Sequence, residues 1–228
     1  MALDGSYDGL KASIADFLNR SDLTATIPDF IVLAEAQMMR RFVARQRQGF
    51  PIPRRLVLRS DASIAGGDEF IAVPTDFFGP IDFVLKGTPE IVLDYLDPTN
   101  FKQWKAANSL MGQAPLYYTV VGGEFQLYPV ADQAYTAETT YIKRLAAASS
   151  ATNWILQDYP DAYLYGALVQ SAPYLKDDSR ATTWGVLFTA ALDDICNADP
   201  MPSDKSALRT EFPRMQWSSA SYDIVRDI

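Results

Sequence analysis

The sequence predicts an α+β chain of mainly α character: an antiparallel helical bundle from N- and C-terminal helix pairs, an inserted antiparallel β region and an extended C-terminal tail. Three observations carry this prediction. Apolar residues recur at helical spacing in residues 10–42 and again in 158–195. Between them, PLYYTVVGGEFQLYP writes out a hairpin together with its turn. Beyond Asp199 the large side chains stand isolated among Pro, Ser and charged residues. On this reading residues 1–50 form the first helix pair, 51–153 the inserted β-rich region, 154–199 the second helix pair of the same bundle, and 200–228 an extended arm.

The first helix is expected to open near Ser6 or Asp8 and to end around Arg20, with Leu10, Ile14, Phe17 and Leu18 on one face. The second opens near Thr26, tolerates Pro28 in its first turn, and carries Ile27, Phe30, Ile31, Ala34, Met38 and Phe42 along one stripe until Gly49 and Pro51 stop it. A helix of about 22 residues is a rod of roughly 33 Å. A connection of a few residues makes the two an antiparallel hairpin.

After Pro53 the period changes. RRLVLRS, EFIAVP and GPIDFVL read as short strands separated by Gly, Pro and Asp, and Lys102 to Met111 as a short helix following Asp97 and Pro98. Leu116–Val121 and Glu124–Pro129 flank Gly122-Gly123, which meet the positive-φ demand of a primed two-residue turn. Tyr135 to Lys143 is expected to pair with that hairpin and to leave one face wet. Tyr117, Tyr118, Tyr128, Tyr135 and Tyr141 read as cross-strand packing rather than as a sugar platform.

The second helix pair begins at Asp158 and Pro160, with Leu164, Ala167, Leu168, Ser171 and Leu175 inward and Pro173 as a kink. Its second member opens near Asp178 or Ser179 and presents Trp184, Leu187, Phe188, Ala191, Leu192 and Ile195, before Asn197 and Pro200 end it. Cys196, the single cysteine, reads as a small buried hydrophobe. The tail holds Phe212, Met215, Trp217, Tyr222 and Ile224 without a clear period. Such anchors suit an arm docking on another subunit, and equally a tail packed on its own protomer.

Composition excludes several function classes. A net charge of −8 over 228 residues argues against a nucleic-acid coat, since neutralising phosphate needs a surplus of Lys and Arg on the contacting face. No apolar run approaches the roughly 20 residues that cross a bilayer, and MALDGSYDG lacks the cationic and apolar regions of a signal peptide, so no membrane partner is expected. The absence of His removes Ser-His-Asp and Cys-His mechanisms and the commonest transition-metal ligand. One Cys cannot build a cysteine zinc site within a chain. Gly66-Gly67 and Gly122-Gly123 read as turns, not phosphate loops. Asp177-Asp178 and Asp193-Asp194 read as helix caps and solvated faces. The expectation is a chain that is not an enzyme, with no catalytic residue, cofactor or metal.

Charge is nonetheless uneven. From Met38 to Ser60 there are seven arginines, Arg40, Arg41, Arg45, Arg47, Arg54, Arg55 and Arg59, and no acidic residue. The first of them also complement a helix C-terminus, where cations are favoured. Their continuation past the helix marks all seven as a candidate protein interface, together with Phe212, Trp217 and Tyr222 of the tail.

The helical opening with IPDFIVLAEAQMMRRF, the hairpin PLYYTVVGGEFQLYP and the block ATNWILQDYPDAYLYGALVQSAPYLKDD, in that order and spacing, resemble the adaptor, or head-to-tail connector, proteins of short-tailed bacteriophages, tail tubular protein A among them. The resemblance spans roughly residues 10–199, with 51–114 alike only in general character. It implies a bundle with an inserted β region, a closed homo-oligomeric ring of about twelve copies, and docking between the portal protein and the tail nozzle or tail tube protein, with tail fibres as a further partner. It also implies a central channel through which double-stranded DNA passes without specific binding, and a place at the head-tail junction of the virion after synthesis in the host cytoplasm. The alternative is another tail or baseplate module that recognises a protein or a glycan.

Overall fold

The computed structural model describes residues 3–108, 110–175 and 180–198. Its first helix, α1 (Tyr7–Leu18), starts where a polar side chain can replace missing backbone partners: Ser6 Oγ accepts the Gly9 N–H at 3.0 Å, and Asp4 in turn takes the Ser6 N–H and hydroxyl. It stops at Asn19, in the left-handed region at φ 52°, which Asn tolerates better than most residues. The second, α2 (Ile27–Arg47), has Pro28 in its first turn and buries Ile27, Phe30, Ile31, Ala34, Met38, Met39 and Phe42. Both helices lie as the apolar spacing predicts, although α1 leans on a later helix as well as on α2.

A short 3-10 turn (Arg54–Leu56) leads into β1 (Val57–Ile64), β2 (Phe70–Ala72), β3 (Phe77–Lys86), β4 (Ile91–Val92) and β5 (Asp94–Tyr95). Then come α3 (Pro98–Ala107), β6 (Tyr117–Val121), β7 (Glu124–Tyr128) and β8 (Tyr135–Lys143). The helix α3 opens four residues earlier than expected because the Asp97 side chain accepts the Thr99 and Asn100 N–H groups and Pro98 suits the first helical position. The β6–β7 hairpin turns on Gly122 and Gly123 at φ 65° and 85°, both left-handed, as a type I′ turn demands.

The strands make two four-stranded sheets, ordered β1-β8-β3-β4 and β2-β7-β6-β5, antiparallel except for the parallel β5–β6 pair. Here the expected partner of β8 is corrected. It does not join the hairpin but fills the middle of the first sheet, with Ala137 opposite both Ala62 of β1 and Leu85 of β3. Strand alternation shows which faces a strand offers; it does not encode which neighbour completes its ladder. The two sheets close face to face on Ile64, Phe83, Leu85 and Ala137 from the first and Tyr118, Phe125 and Leu127 from the second.

The C-terminal part holds α4 (Trp154–Asp158), α5 (Pro160–Leu175) and α6 (Ala181–Ala198). The one-and-a-half-turn α4 is absent from the sequence expectation, and its signal is Asn153, whose Oδ1 accepts the Leu156 N–H at 3.0 Å. Along α5, Leu164, Ala167, Leu168 and Ser171 are buried as expected and Leu175 is half-buried; the helix continues through Pro173. Along α6, Trp184, Phe188, Ala191, Leu192, Ile195 and Cys196 are buried, but Leu187, placed on the inner stripe from sequence, faces outward. The start of this helix at Asp178 or Ser179 lies outside the described residues.

The predicted fold class is overturned at the level of architecture. The chain is α+β with two four-stranded sheets and six α-helices among the described residues, not a mainly helical bundle with an inserted β region. Ile52, Leu56, Ile142, Leu145 and Ala148 bury within the same apolar cluster as Phe30, Phe42, Leu168 and Phe188, while Val57, Phe78 and Ile81 pack against it. The first sheet thus lies between the helices and the second sheet and gives side chains to both cores. Long helices dominate any periodicity count because each offers many repeats; strands of two to ten residues become architecture only when paired.

Candidate functional site

The arginine-rich segment is divided by the fold. Arg41 and Arg45 turn toward α6: Arg41 donates to Thr189 Oγ1 at 2.9 Å and lies over the Phe188 ring, and Arg45 pairs with Asp193 at 2.5 Å. Arg55 pairs with Asp158 at 2.5 Å and covers the Trp154 ring, holding the 3-10 turn to α4. Arg54 sits exposed in the same turn. Arg59, on the outer strand β1, reaches Glu138 of β8 at 3.5 Å with its side chain 74% exposed. Arg40 and Arg47, exposed on α2, flank an open groove floored by Val43, Ala44 and Phe78. So the segment is not one patch: three of its arginines hold this protomer together, and Arg40 and Arg47 share an outward groove.

Asp193 therefore has a definite ion-pair role, while its neighbour Asp194 is exposed. Asp177-Asp178 and the tail residues Phe212, Trp217 and Tyr222 lie outside the described residues. Of the strand tyrosines, Tyr118 and Tyr141 make the expected cross-strand ring contacts, while Tyr117 and Tyr128 pack on α3. Tyr118 stacks among Phe83, Phe125 and Tyr95; Tyr141 packs on Phe77 and donates to Asp76 at 2.7 Å; Tyr117 meets Trp104 of α3. Burial and then the Asp76 interaction push the Tyr141 phenol up to about 12.

One polar cluster escaped the sequence reading. Glu35, on α2 beside Ala34 and Ala36, accepts the Ala148 N–H and, at 3.3 Å, the Tyr163 hydroxyl. Asn153 donates to Tyr163 and to the Ala146 carbonyl, each at 2.6 Å. These four contacts fasten the loop after β8 to α2 and α5. Burial raises the Glu35 carboxyl above the ordinary range, with the Ala148 and Tyr163 hydrogen bonds acting the other way. Burial also raises the Tyr163 phenol, helped by the Glu35 charge. The available signal was a lone acid in the otherwise apolar run IVLAEA.

The Cys196 thiol is buried and pushed up to about 11 by desolvation first, with Arg45 lowering it and Asp193 raising it. A thiol held there is a poor nucleophile near neutral pH. Among the described residues no group of three or more His, Cys, Asp or Glu side chains converges to hold a metal ion, and no helix is long and apolar enough to cross a membrane. The described surface carries exposed guanidinium groups beside an apolar floor, and exposed Val32, Leu33, Val186 and Leu187 on two helices.

No curated protein matches this chain. The family model described as SU10 adaptor protein matches residues 6–211, which takes in both helical segments and both sheets. The chain belongs to the SU10 adaptor protein family and is a phage adaptor, a structural component of the virion.

Proposed function

We propose that this adaptor is one subunit of a closed ring that joins the portal to the tail nozzle of a short-tailed phage and forms part of the channel for the genome. The observation that carries the reading is the family match over residues 6–211. Charge supports it. An acidic wall repels phosphate, so a subunit of net charge −8 suits a conduit along which DNA slides better than a clamp that grips it. The arginines that remain outward, with no acidic residue between Met38 and Ser60, supply a local patch of opposite sign for contact with an acidic protein surface. A ring is built from heterologous contacts, in which one surface of a protomer meets a different surface of the next.

The test is the mass of the native protein, alone and mixed with the portal of the same phage, by native mass spectrometry with negative-stain imaging of large species. The expected result is a ring of about twelve copies, formed alone or on the portal. A species that stays small and ignores the portal overturns the connector reading and moves the search to tail-protein or glycan binding.

A further inference from the structure

The outer faces of α2 and α6 are complementary in a way that the interior does not require. On α2, Leu33, Ala36, Arg40, Val43 and Arg47 fall three or four residues apart and so share one face, with Val32 at its border. Val32 and Leu33 are 60% and 48% exposed. On α6, Val186, Ala190, Asp194 and Asn197 share the outward face, with Leu187 beside them; Val186 and Leu187 are 65% and 39% exposed. The last two turns of α2 carry only positive charge, and α6 carries Asp193 and Asp194 with no Lys or Arg at all. Asp193 is paired within the protomer and Asp194 is exposed.

The contacts inside one protomer give the relative direction of the two helices. Arg41 meets Thr189 and Arg45 meets Asp193, both at a separation of 148 residues, so α2 and α6 run alongside one another in the same direction. Carried half a turn further, that offset sets Arg47 level with Ile195 and one residue from Asp194. In a ring whose axis lies along these helices, rotation preserves level, so α2 of one copy meeting α6 of the next would do so in parallel, with Arg47 beside Asp194 and with Val186 and Leu187 level with Met38 and Met39, about 9 Å along the axis from Val32 and Leu33.

Resting on the ring reading above, we infer that the subunit contact is the outer face of α2, with Val32, Leu33, Arg40 and Arg47, seated on the outer face of α6, with Val186, Leu187 and Asp194, of the neighbouring copy. The occupant of both faces is a second copy of this chain. A patch of opposite sign on each face gives the contact a direction, since two α2 faces or two α6 faces repel each other.

Charge reversal with rescue tests it on the full chain. At a concentration where the wild type is half assembled, Arg47→Glu and Asp194→Arg should each lower the ring fraction roughly ten-fold, the effect of one like-charge contact, and the double exchange should restore it. A second readout is covalent. In a Cys196→Ala background, Arg47→Cys and Asp194→Cys are made in separate proteins; the mixture should form a disulfide-linked dimer on oxidation, and neither protein alone should. If no wild-type ring forms with or without portal, the connector reading falls and this contact with it. If the ring forms but the single reversals assemble normally, or the mixture gives no dimer, the α2–α6 contact alone is overturned.

Discussion

Glu35 and Glu69 are one side chain in opposite settings, and they should answer pH with opposite signs. Burial raises the Glu35 carboxyl above its ordinary value of 4.5. Its ionisation therefore costs folded-state stability, a cost that appears as pH climbs through 4.5. Burial alone would raise Glu69 too, but hydrogen bonds from Lys105 and Gln126 and the Lys105 charge outweigh it and hold the group below 4.5. Its contribution is present above the ordinary value and is lost as pH falls through the folded one. Glu35→Gln keeps an acceptor for Ala148 and Tyr163 and should match or exceed wild-type stability at pH 7, whereas Glu69→Gln should fall below it. Urea unfolding between pH 3 and 7 should show both differences shrinking toward the acid end. Glu35→Ala leaves the Ala148 N–H without an acceptor and removes the acceptor of the Tyr163 O–H, whose oxygen still accepts from Asn153, and should cost about 1–3 kcal/mol. Cys196 should stay unmodified by a maleimide at pH 8 until guanidinium exposes it, because its thiol is buried and raised to about 11. The acid in IVLAEA was readable as an anomaly, but its partners Ala148 and Tyr163 lie 113 and 128 residues away and no local pattern names them.

At the scale of elements, α5 is the piece that others are built around, packing against α1, α2, α4 and α6. Gly166 makes the closest of these approaches possible. A Cβ there would meet Phe188 Cε2 at 2.9 Å and Ala34 Cβ at 3.0 Å, so Gly166→Ala should destabilise by about 1–3 kcal/mol despite the higher helix propensity of Ala. Gly185 on α6 is the internal control. Nothing lies within 4 Å of its added Cβ, and Gly185→Ala should stabilise by about 0.5–1 kcal/mol. Thermal unfolding of the two variants should therefore move in opposite directions from wild type. Helices and the Gly122-Gly123 hairpin were legible because their signals are local: a repeat every three or four residues, or two glycines where φ must be positive. Leu187 shows the limit of that reading, since a stripe tells which residues share a face but not how wide a face the neighbouring helices cover.

For the whole molecule, the decisive fact is that the first sheet serves two cores. Ile142 buries against the helices while Ala137, five residues earlier on the same strand, buries against the second sheet. Disruption of either core should therefore reach the other. Ile142→Ala on the helix side and Phe83→Ala between the sheets should each cost about 2–5 kcal/mol and lower one cooperative transition, seen alike by far-ultraviolet circular dichroism and by tryptophan fluorescence. Two separate transitions would show that the cores unfold independently. Outward, the same construction leaves Val32 and Leu33 of α2 and Val186 and Leu187 of α6 exposed, the residues that the proposed subunit contact would cover.

The sequence by itself determined the helices α1, α2, α5 and α6, most of their buried stripes, the β6–β7 hairpin and its turn, the burial of Cys196, and the phage-adaptor resemblance. Each rests on relations between residues a few positions apart, or on the order of blocks along the chain. Only the tertiary structure decided that β8 joins β1 and β3, that two sheets of four strands build the core, and that Arg41, Arg45 and Arg55 face their own chain while Arg40 and Arg47 face out. The physical reason is that a strand's ladder and an arginine's counter-ion are chosen across separations of tens to more than a hundred residues, where many partners offer similar local energies. Close packing of the whole chain, not any local preference, selects among them.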